Sequence, residues 1–378
     1  MNNPQFISTQ AQWDKTAASL SAEPELAIDT EANSMHAYRG RICLIQIATE
    51  RSAYLLDPLA VDDLSKLGHI LANPSICKVL HGSDYDLRCF HREYGFVVSG
   101  LFDTEIAARF QGMVSPNLAA LLQQFLNVDK PKSKRLQRSN WGIRPLSVEA
   151  VRYAAADVEY LIPLASRLRQ LLGQAGRLEW VTEEFARLES IGQTASALSA
   201  PDFLRVKGSD RLDSGQLAIL KRLFELREAE AERIDLPPYR VMGNDGLIQL
   251  SREPFTPLED IPGLAPAAMR RLGPRIRTTI QQAMREPGVE RPPRPRREPP
   301  ARETQARLQK LKQWRSDKGA DLGLDPALLW PAASLERLAL DPSTWRSEVQ
   351  GKGDTGVRNW QIRELGPYLE SALISLSG

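Results

Sequence analysis

The sequence predicts a mixed-sheet α/β or α+β unit over residues 1–200, followed by two small all-helical units. Three observations carry this. Short apolar runs of β type are confined to the first hundred residues. Helical spacing then takes over, and beyond residue 200 the β pattern all but vanishes. A proline- and arginine-rich stretch, PGVERPPRPRREPP at 287–300, divides the helical part; it cannot bury a core and reads as an extended, semi-rigid linker.

The elements follow in order. PELAIDTEA at 24–32 is a strand ending in acids. RICLIQIATE at 41–50 and SAYLLDP at 52–58 are two more, close enough for an antiparallel meander. LSKLGHILANP at 64–74 has helical spacing and stops at Pro74, and SICKVLHG at 75–82 is a further strand. DYDLRCFHREYG at 84–95 reads as a helix closed by Gly95, and NLAALLQQFLN at 117–127 as another. A long helical run starts at Ser147, whose hydroxyl suits an N-cap. Residues 213–286 are helices separated by turns such as Pro237-Pro238 and Pro262-Gly263; residues 303–376 are helical again. The expected division is 1–200, 201–286, a linker over 287–302, and 303–378. Few core contacts are expected to cross the boundary near residue 200.

With 378 residues, 42% hydrophobic and 25% charged, the composition is that of an ordinary globular chain. The net charge is +2, so any surface for a polyanion must be local. MNNPQFIST lacks a secretory pattern, and no apolar run is long enough to cross a membrane. Cys43, Cys77 and Cys89 are scattered and form no CxxC pair, which suits a reducing cytoplasm. His36, His69, His81 and His91 show no zinc-type spacing, and no GxxxxGK[ST] phosphate loop is present.

Three acidic motifs carry the chemistry. Asp29 and Glu31, two apart on a strand, face the same side. Asp86 lies in the first turn of the helix after SICKVLHG; Asp84 is a rival, nearer the cap. Tyr153 and Asp157, four apart, share one helical face, and the three alanines between them keep that face small. Each motif alone also fits a solvated acid or a core tyrosine. Together they place four carboxylates at one locus without an evident basic partner, a repulsive arrangement that divalent cations would relieve. Hard oxygen donors suit Mg²⁺ or Mn²⁺, and two such ions can clamp both oxygens of a phosphodiester displacement. With Arg152 rather than a histidine five residues before Asp157, Tyr153 is the natural group to orient a water.

DTE at 29–31, HGSDYD at 81–86 and YAAADVEYL at 153–161 resemble the three exonuclease motifs of the DEDD superfamily, tyrosine subclass. KSKRLQRSNWGIRPL at 132–146 is similar to the corresponding stretch of ribonuclease D and the exosome-associated nucleases. LAILKRLFELREAEAERIDLPPYRVMGNDGLIQL at 217–250 with PLEDIPGLAP at 257–266 resembles an HRDC domain, and 303–376 looks like a second, diverged copy. The resemblance implies a ribonuclease-H-like sheet. It further implies two metal ions and stepwise release of 5′-nucleotides from RNA 3′ ends, tRNA precursors included. By the same resemblance Asp29, Glu31 and Asp157 would hold one ion. Asp29 and Asp86 would hold the second, and Tyr153 the attacking water. Asp84 is left to a helix-cap role.

A basic cluster, Lys130, Lys132, Lys134, Arg135 and Arg138, precedes Trp141. Positive side chains can follow phosphates and an aromatic can stack on a base, so Lys134, Arg138 and Trp141 are candidate RNA contacts. A solvated loop with a core tryptophan is the alternative. The expected function is 3′→5′ exoribonuclease, without membrane or obligate protein partner. A DNA exonuclease and a non-catalytic RNA-binding protein are the competing readings.

Overall fold

The computed structural model describes residues 4–114, 116–130, 133–192, 202–292, 300–350 and 356–377. Its centre is a mixed sheet of β1 (Gln5–Ile7), β2 (Glu25–Ala32), β3 (Ile42–Ala48), β4 (Ala53–Leu56), β5 (Cys77–Leu80) and β6 (Leu101–Asp103), in the order β1-β4-β3-β2-β5-β6. The β2–β3–β4 meander is antiparallel, as the spacing predicts. β5 joins β2 in parallel, β6 joins β5, and β1 adds to β4. β1 and β6 are three residues each, too short for a period-two pattern to announce them.

Register sets which side chains share a face. Asp29 pairs with Gln46, Thr30 with Ile45 and Glu31 with Leu44. Ile28, Ile45 and Ile47 point into the main core, shared with Phe90, Leu164 and Leu168 of the covering helices. Leu44 and Leu55 point the other way, into a smaller cluster with Trp141, Ala150 and Ala154 beneath the helix Val148–Val158. Alternation therefore turns Asp29, Glu31 and Gln46 toward that helix and Thr30 toward the opposite face.

The first helical unit comprises the helices Ser214–Arg233, Pro238–Val241, Asn244–Arg252 and Pro266–Ala283 around a core of its own. It grips the loop that follows β2. Tyr38 packs on its core and donates its backbone N–H to the Asp235 carboxylate at 3.1 Å. Arg39 pairs with Glu232 at 2.8 Å, and the Tyr239 hydroxyl donates to the Met35 carbonyl at 3.0 Å.

The second unit repeats the order of elements: a long helix Arg302–Leu322, a short proline-led helix Pro326–Leu329, then Ala332–Leu340, and a long closing helix Asn359–Ser377. Leu-Gly-Pro recurs inside both closing helices, as Leu272-Gly273-Pro274 and Leu365-Gly366-Pro367. Its packing differs from the first. Leu311, Leu329, Trp330, Trp360 and Leu369 belong to the same contiguous core as the sheet. The Trp360 ring stacks on Trp180 at 4.8 Å and meets Phe110 edge-on at 5.6 Å. Glu184 pairs with Arg358 at 2.9 Å, and the Glu183 carboxylate accepts the Asn359 and Trp360 backbone N–H groups. Gly112, at φ +87°, allows close contact, since a Cβ there would stand 2.6 Å from the Gly323 carbonyl.

The expectation that few core contacts leave the α/β unit is therefore not met for the second helical unit. Phe110 and Trp180 form an aromatic floor that amphipathic spacing alone cannot distinguish from core. The linker's middle, residues 293–299, with Arg294, Arg296 and Arg297, lies outside the described residues, as does Lys132. Arg291, at the linker's start, donates to the Ser209 carbonyl of the first helical unit.

Removing the Trp360 ring should cost about 3–5 kcal/mol, the usual range for a buried aromatic truncated to alanine. Trp360→Ala is expected to lower the melting temperature of the sheet and the second helical unit together, in one transition seen by calorimetry. A variant whose sheet unit melts unchanged would show the two to be independent.

Candidate active site

The last turn of β2 and two helices bring four acids together. Asp29 and Glu31 leave β2 on the face covered by Val148–Val158. That helix starts where Ser147 accepts the Ala150 N–H at 3.1 Å, and it carries Tyr153 and Asp157 one turn apart. Ala154, fully buried, lets the helix lie close on the sheet. Asp86 arrives from the other side of β2, where its carboxylate accepts from the Thr30 hydroxyl. The turn that delivers Asp86 is held by Asp103, whose carboxylate accepts from Gly82 N at 3.2 Å and from Ser83 N and Oγ at 2.7 Å each. Gly82 has φ +65°, and a Cβ there would lie 2.6 Å from a Glu105 carboxylate oxygen. Asp84 points outward and pairs with Arg88 at 3.0 Å; Ser83, not Asp84, is the cap residue.

Burial and mutual repulsion govern the electrostatics. Burial, then the charges of Asp86 and Asp157, hold the Asp29 carboxyl well above its usual pKa. Burial followed by Asp29, Asp157 and Asp86 pushes Glu31 up to about 10. Asp86 is pushed up to about 6, chiefly by burial, against the hydrogen bond from Thr30. Burial also raises Asp157, opposed by Lys130. Lys130 corrects the expectation that the cluster has no basic partner: its ammonium pairs with the Asp157 carboxylate and stands 5.9 Å from the centre of the Tyr153 ring. The second Asp157 oxygen, Oδ2, is buried without a partner among the described residues. The Tyr153 phenol is raised above its ordinary value by burial and by Asp157, so it remains a donor. A cleft of about 280 Å³ opens here, lined by Asn117, Lys130, Gln137, Tyr153 and Asp157.

The donor set fits hard divalent cations: oxygen ligands, like charges in need of neutralisation, and one buried carboxylate oxygen left unpartnered. Among the described residues no three acid, His or Cys side chains are already drawn in around a single cation position. Lys130 stands on Asp157 instead.

Trp141 is a correction. It is 1% exposed, its ring 6.3 Å from that of Tyr153, and it is in no position to stack on a base. Arg144 pins its segment to the sheet, with Nη1 donating to the Trp141 carbonyl, Nη2 to the Cys43 carbonyl, and Nε and Nη2 to Asp57. Lys134 and Arg138 are exposed on the segment whose Gln137 lines the cleft, and His36 Nε2 donates to the Arg138 carbonyl at 2.8 Å. Asp103 and Gln137 are site neighbours that the motifs do not reveal, and Lys130 is expected only as part of a basic cluster; each is distant in sequence from the acid or tyrosine it serves.

Comparison with known proteins places this geometry. The 3′-5′ exonuclease family model matches residues 4–173, and the HRDC domain model matches 216–280. Ribonuclease D of Pseudomonas paraeruginosa is 31% identical over 379 residues, covering 97% of this chain and 98% of that protein. Ribonuclease D of Granulibacter bethesdensis is 29% identical, covering 95% and 94%. The crystal structure of Escherichia coli ribonuclease D, 24% identical, shares the fold across 99% of both chains with a TM-score of 0.69. The four acids and the tyrosine that meet at the end of β2 thus sit in a chain that belongs to the ribonuclease D family of 3′-5′ exonucleases.

Proposed function

We propose that this chain removes 5′-nucleotides one at a time from RNA 3′ ends by two-metal-ion hydrolysis, with tRNA precursors as natural substrates in the cytoplasm. The carrying observation is the convergence of Asp29, Glu31, Asp86 and Asp157 beside the Tyr153 phenol at a cleft. No described helix is long and apolar enough to cross a membrane.

Asp29, Glu31 and Asp157 would hold one ion, and Asp29 with Asp86 the second. When bound, Mg²⁺ or Mn²⁺ would acidify water and offset phosphate charge. The chain's own residues do the rest. Tyr153 keeps its proton at Oη and orients the attacking water by a hydrogen bond. A cation held by Asp157 would take the place of the Lys130 ammonium, which lines the cleft and would then be available to a substrate phosphate. Lys134 and Arg138 neutralise the next phosphates along the strand. The units divide at 1–200, 201–286, 287–302 and 303–378. The shared element order and the repeated Leu-Gly-Pro support reading the last as a second HRDC copy. No obligate protein partner is required.

The direct test is purified protein with 3′-labelled RNA and DNA oligomers, with and without Mg²⁺ or Mn²⁺. Metal-dependent release of mononucleotides from RNA in preference to DNA is expected. Equal cleavage of both would support a DNA exonuclease, and binding without cleavage a non-catalytic protein.

Asp86→Ala is expected to abolish turnover, while Asp84→Ala, which loses an exposed helical ion pair worth about 0.3–0.5 kcal/mol, should leave rate and melting temperature nearly unchanged. The reverse pattern would show the wrong aspartate has been assigned. Tyr153→Phe should lower kcat roughly 10²-fold with little change in RNA affinity, the scale of a positioned proton-handling group. A raised KM at constant kcat would make Tyr153 a binding residue.

A further inference from the structure

Gln46 is the group at this site that neither the motifs nor the mechanism uses. It is fully buried, and neither its amide nitrogen nor its amide oxygen has a hydrogen-bond partner among the described residues. Burying an unsatisfied amide is costly, and an apolar side chain of the same length would avoid that cost. Its surroundings on that face are otherwise apolar. Leu44 and Ala48 lie two residues away along β3, and Leu55 is opposite on β4. Ala150 and Ala154 pack over this face from the helix that carries Tyr153. The exception is Asp29, the cross-strand partner of Gln46 on β2. Directly opposed residues of an antiparallel pair hold their Cβ atoms about 4.5–5.5 Å apart on one face, well within reach of a glutamine amide. Asp57, a further buried carboxylate beyond β4, is already occupied by Arg144.

We infer that Gln46 is a positioning residue for Asp29: with a cation bound, its side-chain amide donates to the Asp29 carboxylate and fixes that carboxylate's orientation as a ligand. The inference rests on the metal-site reading above. Because neither amide atom is committed elsewhere, the group is free to serve Asp29 when the carboxylate is drawn onto a cation. Carboxylates that bind metals are commonly held by such hydrogen bonds, and losing one typically weakens metal binding about 10–100-fold. A merely structural Gln46 would behave differently, because replacing an unpaired buried amide by an apolar group of similar shape is neutral or stabilising and leaves the metal untouched.

Four full-length proteins separate these possibilities: wild type, Gln46→Met, Gln46→Leu and Asp29→Asn. Each is titrated with Mn²⁺ by calorimetry without RNA, and each is melted in EDTA. Both Gln46 variants should melt in EDTA at or above the wild-type temperature yet bind Mn²⁺ about 10–100-fold more weakly, while Asp29→Asn loses the tight binding. Wild-type Mn²⁺ affinity in both Gln46 variants would overturn the inference, provided Asp29→Asn does lose binding. So would marked destabilisation of both in EDTA, which would make the amide structural. If wild type takes up no Mn²⁺, or Asp29→Asn binds like wild type, the metal-site reading falls and the inference falls with it.

Discussion

Four carboxylates held out of water at the end of one strand repel one another, and much of the surrounding structure holds them there nonetheless. Two like charges a few ångströms apart at a partly buried site interact by several kcal/mol, comparable to a sizeable fraction of a domain's net stability. The metal-free protein contains this repulsion in two ways. Burial and neighbouring charge raise all four acids and keep a proton on Glu31, and Lys130 supplies one cation at Asp157. Neither arrangement suits catalysis by itself; both are what divalent ions would replace.

The positions of these acids depend on groups that never touch substrate. Asp29 and Glu31 are fixed by β2, a central strand bonded on both sides. Asp86 depends on the turn that Asp103 closes, and Asp157 on a helix set by the Ser147 cap and the small Ala154. The helical units reach the same place indirectly. The first holds the loop after β2, and His36 of that loop holds the Arg138 carbonyl next to Gln137 of the cleft. The second shares the core of the sheet through Trp180, Trp360 and Phe110. The first unit is thus tied to the strand that carries Asp29 through that strand's own following loop.

The acid motifs were legible because each rests on local periodicity: two residues on a strand, four on a helix, a first turn after a strand. The meander and the helices with clear caps, Ser147 and Gly95 among them, were legible for the same reason. β1 and β6 were not, being too short to show a period. Lys130 read as part of a basic run, since its pairing with Asp157 is a tertiary event across 27 residues. Trp141 read as either a base-stacking or a core aromatic, because side-chain type does not report burial. Gln46 is invisible in an apolar strand until register sets it across from Asp29. The docking of the second helical unit also escaped, because an amphipathic helix shows that one face is covered without showing by what.

The most direct test of this account is the number of protons released when Mn²⁺ binds the full-length protein at pH 7, from calorimetric titrations in buffers of different ionisation enthalpy. Carboxylates must be ionised to ligate a metal. With Glu31 pushed up to about 10 and Asp29 also held well above its usual range, binding should release at least one proton per chain. Mn²⁺ binding with no proton release would contradict it, because the acids would then be fully ionised before any ion arrived.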